Sequence, residues 1–328
     1  MPVPGIARQF WIRKPGHAEI LQRDLAPRLR SDVLVRTRFS GVSRGTESLV
    51  FLGEVPPSQH EIMRAPFQEG EFPGPVKYGY SSVGVVEEGP PELKGRSVFC
   101  LYPHQDLYCV PAEAVQLIPP VVPPGRAVLA ANMETAINIV WDARPTAGDT
   151  IFVVGAGVVG LLVATICRDV PGTRVTVIDP NHSRAAIASA LDLTYREEVP
   201  VEALADIVIH ASGNPLGLRA ALSVAGMEAT VVEASWYGTR EVLLPLGEAF
   251  HSHRLTVVSS YVGRVPVSRA ARWTHEMRLA LALELLTDER LDVLINGESS
   301  FDELPSVLAE LSKNPGDTLC HRIRYGVT

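Results

Sequence analysis

The sequence is poor in cysteine, in aromatic residues and in long apolar runs, and the shortages of cysteine and of apolar runs each exclude a class of protein. Its 328 residues include four cysteines with no CxxC pair, and aromatic residues make up 6% of the chain. This spacing argues against a disulfide framework, so we expect reduced thiols and a cytoplasmic protein. No apolar run reaches the roughly 18 residues of a membrane-spanning helix, and we expect no signal peptide.

An excess of charge of one sign is also lacking. Charged residues make up 20% of the chain, the formal net charge is -7, and acids and bases are mixed without a basic stripe. The sequence therefore predicts neither nucleic acid nor a membrane surface as a partner. A chain of this length buries about 75% of its unfolded surface, so it needs no structural metal for stability. Its length predicts two domains.

The apolar pattern changes in the middle of the chain. Up to about residue 118, short runs rich in Val, Tyr and Phe are broken by Gly and Pro, which predicts β-structure. The proline-rich segment 118–127 marks a boundary, and a predicted helix follows it. From Asp149 onward, apolar strands alternate with amphipathic helices, which predicts βαβ units around a parallel sheet. We predict domain segments at 1–125, 126–264 and 265–328, with the last segment returning to the first domain.

The run VVGAGVVG has the glycine spacing of a dinucleotide-binding turn. Gly155, Gly157 and Gly160 follow a predicted strand and open a predicted helix, which is the context that the motif requires. Gly155 permits the tight turn, Gly157 lets a pyrophosphate approach the backbone, and Gly160 lets the helix pack closely on the strand. Val158 and Val159 offer the first amide groups of the helix to the phosphates.

Asp179 ends the second strand of this unit, 24 residues after Gly155. Its carboxylate can accept hydrogen bonds from the adenosine ribose and repels a 2′-phosphate, so the sequence predicts NAD rather than NADP. Arg184 follows five residues later and keeps NADP as an alternative. The other interpretation is a glycine turn needed only for packing, with Asp179 as a helix cap.

Several stretches together resemble the medium-chain dehydrogenase/reductase superfamily, the zinc-type alcohol dehydrogenases and their zinc-free relatives. The resemblance implies an α/β fold with a GroES-like β-barrel catalytic domain and a Rossmann domain built on a doubly wound parallel sheet. It also implies a reaction cleft between the domains and a homodimer paired through RLTVVSSYV. A further implication is a cofactor-binding strand end that includes Ser212. The stretches are FSGVSRGTE, YGYSSVGVVEEG, GAGVVGLLVA, VIHASGNPLGLRAAL and ATVVEASWYG.

The positions at which this family holds its catalytic zinc carry other residues in this chain. The resemblance aligns Ser43, Tyr80 and Ala131 with the three ligands. None of them supplies the thiolate, imidazole or carboxylate that zinc requires. The four-cysteine lobe of the family's structural zinc is missing as well. We therefore predict no metal, and we interpret Cys100 and Cys109 as strand residues rather than as ligands of a substitute site.

Without zinc, a hydrogen-bond donor must hold the substrate oxygen. Tyr80 is the first candidate for this catalytic role because it replaces a residue that faces the family's cleft. Lys77, three residues earlier, is the candidate cation that would lower the pKa of Tyr80. Ser43 is a second candidate donor to the same oxygen. The alternative is a barrel tyrosine, a surface lysine and a turn serine without a catalytic role.

Four other residues are candidates for the site. Arg44 lies where the family often places a residue that reaches the cofactor pyrophosphate, and Glu47 is an alternative partner for its guanidinium. Glu134 is a candidate catalytic acid and Asn138 a candidate substrate ligand, four residues apart on one helix face, unless both are structural. His104 is either a proton relay at the substrate or an exposed turn residue.

The sequence thus predicts an NAD-dependent oxidoreductase that moves hydride between nicotinamide and a small-molecule alcohol or ketone without zinc. The stretch SGVSRGTE is locally similar to bacteriochlorophyllide hydroxyethyl dehydrogenases. One alternative is an NADPH-dependent quinone or enoyl reductase, against which Asp179 argues. Another is a dinucleotide-binding protein without catalytic activity.

Overall fold

The chain is divided into two units in the computed structural model, which describes residues 5–25, 27–200 and 204–326. The first unit comprises Met1–Ala131 together with Leu283–Thr328, and the second comprises Asn132–Ala282. The predicted boundaries after residues 125 and 264 stay predictions. No helix among the described residues combines the length and the apolar character needed to cross a membrane.

The N-terminal part of the first unit consists mainly of short strands, as its Val-, Tyr- and Phe-rich runs predicted. Helix α1 (Thr46–Leu52) ends at Gly53, whose φ of 73° lies in the left-handed region that favours glycine. The strands are β1 (Ile6–Lys14), β2 (His17–Asp24), β3 (Asp32–Val42), β4 (Glu69–Gly70), β5 (Val76–Lys77), β6 (Ser82–Glu88), β7 (Ser97–Cys100), β8 (Leu107–Pro111) and β9 (Val115–Leu117).

Strands and helices alternate along the second unit, as predicted. Helix α2 (Ala130–Ala143) follows the proline-rich segment. The elements after it are β10 (Thr150–Val154), α3 (Val158–Arg168), β11 (Arg174–Ile178), α4 (Arg184–Ala190), β12 (Thr194–Arg196), β13 (Ala205–His210), α5 (Pro215–Ser223), β14 (Ala225–Glu233), α6 (Ala249–Ser252), β15 (Thr256–Ser259), α7 (Val267–Ala270) and α8 (His275–Leu285).

The C-terminal segment completes the first unit. It contributes β16 (Ile295–Ser300), α9 (Leu304–Lys313) and β17 (Cys320–Arg324). Strand β17 pairs antiparallel with β3, which places Arg324 opposite Phe39. Short 3-10 helices lie at Pro57–Gln59, Ala112–Ala114, Ala127–Leu129, Glu289–Leu294 and Phe301–Glu303.

The first unit contains two sheets. Strands β2-β1-β5-β4 form a four-stranded sheet, and β16-β17-β3-β6-β7-β9 form the path of a seven-stranded sheet in which β8 also pairs with β3. The core of the larger sheet contains Val33, Val35, Val86, Val98 and Tyr108, all buried. Val33 and Val35 lie two residues apart on β3, so their side chains point to the same face.

The second unit is built on a six-stranded sheet in the order β12-β11-β10-β13-β14-β15. Every neighbouring pair in it is parallel. This order is that of the Rossmann fold, in which the chain reverses direction across the sheet between the first and fourth strands, here β10 and β13. The residues of β10 from Ile151 to Val154 are all buried, which explains the uninterrupted apolar run in the sequence. The predicted α/β fold class is confirmed.

Candidate active site

The glycine turn after β10 has the geometry of a dinucleotide-binding loop. Gly155 has a φ of 112°, and a Cβ on it would lie 2.7 Å from the amide nitrogen of Ser212. A Cβ on Gly160 would lie 1.9 Å from the carbonyl oxygen of Gly155, so a side chain there would push α3 off the strand. A Cβ on Gly157 would have no heavy atom within 4 Å beyond its neighbours in the chain, so the space beside this residue is open. The turn therefore fits a pyrophosphate laid against the backbone at Gly157.

The start of helix α3 is open to an anion. Gly157 is the N-cap, and no side chain makes a cap hydrogen bond to the helix. The first amide groups of any helix lack intrahelical acceptors. Those of Val158 and Val159, at the positive end of the helix dipole, are therefore available to phosphate oxygens.

Asp179 directly follows β11 and is tied to the glycine turn. One carboxylate oxygen accepts from the Ala156 amide at 2.7 Å, and the other accepts from the Asn181 amide at 2.9 Å. Arg184 begins α4 and is only 2% exposed. A carboxylate held at this strand end is the group that adenosine ribose hydroxyls require.

Ser43 and Tyr80, from two separate segments of the first unit, meet at the position implied for zinc. Ser43 follows β3, and Tyr80 lies between β5 and β6. The Tyr80 side chain is hydrogen-bonded to the side chains of Ser43 and Thr46. Ala131, the third aligned position, is buried and offers only a methyl group. A hydroxyl, a phenol and a methyl group do not fit zinc, and among the described residues no cluster of three or more His, Cys, Asp or Glu side chains could hold a metal.

The surroundings of Tyr80 keep its phenol protonated. Burial raises its pKa above the usual range, and the nearby carboxylate of Glu47 acts in the same direction. The hydrogen bonds from Ser43 and Thr46 lower the pKa, as expected if their hydroxyls donate to the phenol oxygen. The phenol hydrogen of Tyr80 is then left for another acceptor. This corrects the prediction that a cation lowers the pKa of Tyr80.

A row of buried hydrogen bonds, called here the Glu47 relay, lies beside Tyr80. Glu47 accepts from the Ser43 amide at 2.8 Å with one oxygen, and its other oxygen is 2.8 Å from His104 Nε2. His104 Nδ1 is 2.7 Å from Ser40 Oγ, which is 3.0 Å from the Tyr325 hydroxyl. The relay comprises Glu47, His104, Ser40 and Tyr325.

One expectation about these residues is wrong: His104 is 1% exposed, so it is not an exposed turn residue. Glu47 was considered only as a partner for Arg44. One of its oxygens meets His104 in the relay, and the other accepts from the Ser43 amide. Ser40 and Tyr325 were missed altogether, because nothing in the local pattern of FSGV or IRYG marks a polar group that points inward. Only the pairing of β17 with β3 brings them together.

Lys77 is buried and contacts other residues. Its ammonium group donates to the carboxylate of Glu69, to Gln105 Oε1 at 2.9 Å and to the Tyr102 hydroxyl at 3.4 Å. Burial lowers the pKa of Lys77, and Glu69 partly offsets this effect. The interpretation of Lys77 as a surface lysine is therefore wrong. Lys77 is also not among the groups that shift the pKa of Tyr80.

Arg44 makes a backbone contact in the first unit. One guanidinium nitrogen donates to the carbonyl oxygen of Thr318 at 2.9 Å. Its side chain is part-buried, so the guanidinium is held near the start of β17. Its predicted role at the cofactor pyrophosphate stays a prediction.

Glu134 and Asn138 lie on one face of α2, as their spacing predicted, and both contact Arg278. The carboxylate of Glu134 is 3.1 Å from the Arg278 guanidinium, which also donates to Asn138 Oδ1. The amide nitrogen of Asn138 donates to Asp142 and Ser260. Glu134 and Asn138 are buried, and Arg278 is 1% exposed. These contacts give the polar groups of Glu134 and Asn138 partners within the protein, without a substrate. Arg278 was not predicted, because neither of the two arginines in RWTHEMRLALALELL carries a distinguishing signal.

Ser212 follows β13 and is exposed. It lies against the glycine turn, since a Cβ on Gly155 would also come within 2.8 Å of the Ser212 Cα. Strands β10 and β13 are neighbours in the sheet, so Ser212 stands at the position where a Rossmann sheet binds its ligand.

Comparisons with known proteins support the fold. No protein-family model matches the chain. Over 128 residues the chain is 27% identical to L-threonine 3-dehydrogenase of Bacillus velezensis. The alignment covers 35% of this chain and 37% of that protein. The chain thus spans less than two-thirds of the length of this curated relative in the alignment.

Solved structures match over nearly the whole chain. An alcohol dehydrogenase (rspB) from E. coli complexed with NADH has a TM-score of 0.75 at 17% identity, covering 97% of this chain and 99% of that one. S. aureus TarJ in complex with NADPH has a TM-score of 0.74 at 12% identity, and the match covers 98% of this chain and 100% of that one. At such identities the likeness establishes the fold alone, which this chain shares with both solved structures. The predicted resemblance is confirmed.

Proposed function

We propose that this protein is a nicotinamide-dependent oxidoreductase that interconverts an alcohol and a ketone without zinc. The observation that carries this proposal is Tyr80, a protonated phenol hydrogen-bonded to Ser43 and Thr46 at the position implied for the metal. A zinc ion would hold the substrate oxygen by Lewis acidity. A fixed hydrogen-bond donor in a site of low polarity can stabilise the same developing charge.

The proposed roles assign directions to the hydrogen bonds around Tyr80. In this assignment Ser43 and Thr46 donate to the Tyr80 oxygen, and the Tyr80 hydrogen is donated to the oxygen of the substrate. Glu47 holds the Ser43 backbone and places a negative charge near Tyr80. The Glu47 relay holds that charge in place, so it would set how readily the Tyr80 phenol gives its hydrogen to the substrate oxygen. The bound dinucleotide supplies the hydride chemistry itself.

The proposed cofactor is NAD. Gly157, Val158 and Val159 would hold the pyrophosphate, and Asp179 would accept from the adenosine ribose. Asp179 also disfavours a 2′-phosphate, and Arg184 is buried rather than presented to one. Proteins with this fold bind NADH in one case and NADPH in another, so the choice belongs to the proposal.

We also propose a homodimer in a reducing compartment such as the cytoplasm. Strand β15 lies at one edge of the six-stranded sheet, where Val257 is 38% exposed. An exposed apolar edge strand is suited to pairing with a second copy. The four cysteines are free thiols, as expected of a reducing compartment. Elution and light scattering at the mass of a monomer would contradict the dimer.

The test combines cofactor titration with one substitution. NADH and NADPH are titrated against metal-analysed protein, and secondary alcohols and ketones are then screened for turnover. We expect tighter NADH binding and turnover at substoichiometric zinc. Tyr80→Phe should lower kcat by about 10² to 10³ and leave the NADH Kd and the Tm nearly unchanged. A preference for NADPH with reduction of conjugated C=C bonds would instead indicate a quinone or enoyl reductase, and binding without turnover a non-catalytic protein.

A further inference from the structure

The second unit contains a buried imidazole that the proposed chemistry does not use. His210 ends β13, is fully buried, and is paired in the sheet register with Glu233 of β14. Its Nδ1 lies 2.8 Å from one Glu233 oxygen and 3.0 Å from the other. Its Nε2 lies 2.6 Å from Ser212 Oγ. Glu233, His210 and Ser212 form what we call the Glu233 relay.

The hydrogen-bond partners of Glu233 determine which ring nitrogen of His210 carries the hydrogen. Its carboxylate also accepts from the Ser235 amide at 2.6 Å and from the Tyr237 hydroxyl at 3.0 Å. Burial and the charge of Glu233 raise the pKa of Tyr237, so Tyr237 stays a donor. An ionised carboxylate can only accept. With a neutral His210 ring, its hydrogen is therefore assigned to Nδ1, and Nε2 is an acceptor.

This tautomer fixes the polarity of Ser212. Its hydroxyl must donate to His210 Nε2, and one lone pair of its oxygen accepts from the Asn214 amide at 3.1 Å. The oxygen keeps a second lone pair. Because the Ser212 side chain is exposed, that lone pair can accept from a bound ligand but the hydroxyl cannot donate to it.

The position of Ser212 identifies the part of the ligand that it meets. Asp179, on the adenosine side, follows β11, the glycine turn follows β10, and Ser212 follows β13, in the order of the sheet. A dinucleotide laid across these strand ends places its adenosine at β11, its pyrophosphate at β10 and its nicotinamide riboside toward β13. The ribose hydroxyls and the carboxamide of that half are hydrogen-bond donors.

We propose that Glu233 and His210 are positioning residues that hold Ser212 as an acceptor for a donor group on the nicotinamide riboside half of the cofactor. The inference rests on the cofactor part of the proposed function. Helix α5 reinforces the arrangement: a Cβ on Gly217 would lie 2.4 Å from Ser212 Oγ and 2.7 Å from His210 Nε2. A side chain at this position would force Ser212 Oγ or the His210 ring to shift.

The test compares NADH with ADP, which has the adenosine and pyrophosphate but no nicotinamide riboside. Calorimetric titrations use the full-length chain and the variants Ser212→Ala, Glu233→Gln and Gly217→Ala. Losing one hydrogen bond should weaken NADH binding about five- to tenfold, with the ADP Kd unchanged within about twofold. Glu233→Gln acts because its amide can donate to Nδ1 and so turn Nε2 into a donor. Ser212→Thr keeps the hydroxyl and should retain most of the NADH affinity.

The controls separate the possible failures. Ser223→Ala removes an exposed hydroxyl at the opposite, C-terminal end of α5, where it donates to the Ala220 carbonyl, and should change neither Kd. If Glu233→Gln does not fold, Ser212→Ala and Gly217→Ala still decide the question. Unchanged NADH affinity in these variants, or equal losses for NADH and ADP, would overturn the inference alone. Wild-type protein that binds neither nucleotide would overturn the proposed function as well.

Discussion

The Glu47 relay in the first unit and the Glu233 relay in the second contain the same three groups in opposite orientation. Glu47 faces Nε2 of its histidine and Ser40 faces Nδ1, whereas Glu233 faces Nδ1 and Ser212 faces Nε2. Ser40 is 1% exposed, while Ser212 is exposed. A carboxylate, an imidazole and a serine thus form a closed network in one unit and present a surface acceptor in the other.

The difference teaches that the residue types alone do not define a role. The Glu47 relay ends on Tyr325 inside the protein, so it can act only on its neighbours, among them Ser43 and Tyr80. The Glu233 relay ends on an oxygen that a ligand can reach. We therefore expect damage to the first relay to change turnover and damage to the second to change cofactor affinity.

Between the two relays, the largest difference is expected when the glutamate of each, Glu47 or Glu233, is replaced by glutamine. Glu47→Gln removes a negative charge beside Tyr80 and lets its amide donate to His104, which reverses the relay. We expect kcat to fall about 10²-fold with the NADH Kd unchanged within about twofold, and Glu233→Gln to show the opposite pattern. Steady-state kinetics and NADH titration measure both. If the two variants lost turnover and affinity in the same proportion, the comparison would fail.

The two serines should differ in stability. Ser40→Ala leaves the buried His104 Nδ1 and Tyr325 hydroxyl without this partner, and we expect about 1–3 kcal/mol of destabilisation. Ser212→Ala removes an exposed hydroxyl and should change the free energy of unfolding by less than about 0.5 kcal/mol. Urea unfolding at one pH measures the two changes. Equal losses would show that Ser212 is as much a part of the fold as Ser40.

The effect that is smallest at neutral pH is expected at Tyr325, because it develops only at alkaline pH. Burial raises the pKa of Tyr325, so above about pH 10 the unfolded chain loses this proton while the folded protein keeps it. The resulting stability is complete below the unfolded pKa and is lost as the pH rises toward the folded pKa, by about 1.4 kcal/mol per pH unit for one proton. Tyr325→Phe should flatten the decline of unfolding free energy with pH. Tyr237→Phe should flatten it less, because Tyr237 is only half-buried, and the reverse order would contradict this assignment.

The second unit was more accessible to sequence-based prediction than the first. The glycine turn, α3 and Asp179 are marked by residues close together along the chain, and each was placed correctly on its strand end or helix. In the first unit, His104 and Glu47 are 57 positions apart, and Ser40 and Tyr325 are 285 apart. Periodicity and spacing describe neighbours in the chain, so they left open whether His104 is a proton relay or an exposed turn residue and whether Lys77 is a cation beside Tyr80 or a surface lysine.

Ser212 shows the limit within the better-predicted unit. Its place at a cofactor-binding strand end was predicted, but His210 and Glu233 behind it were not singled out. In a continuous apolar run such as ADIVIHAS, a histidine gives no sign of its partner. The parallel register that pairs His210 with Glu233 is set by two strands whose sequences are separated by a helix.

The sequence by itself determined the alternation of strands and helices, the dinucleotide turn and the absence of zinc ligands at the three aligned positions. These features depend on residue identity and on local backbone preference. Only the tertiary structure decided that burial and Glu47 raise the pKa of Tyr80, that His104 and Lys77 are buried, and that Glu134 is paired with Arg278. Burial and partners set the charge and the hydrogen-bond direction of a polar group, and both depend on segments far apart in the chain.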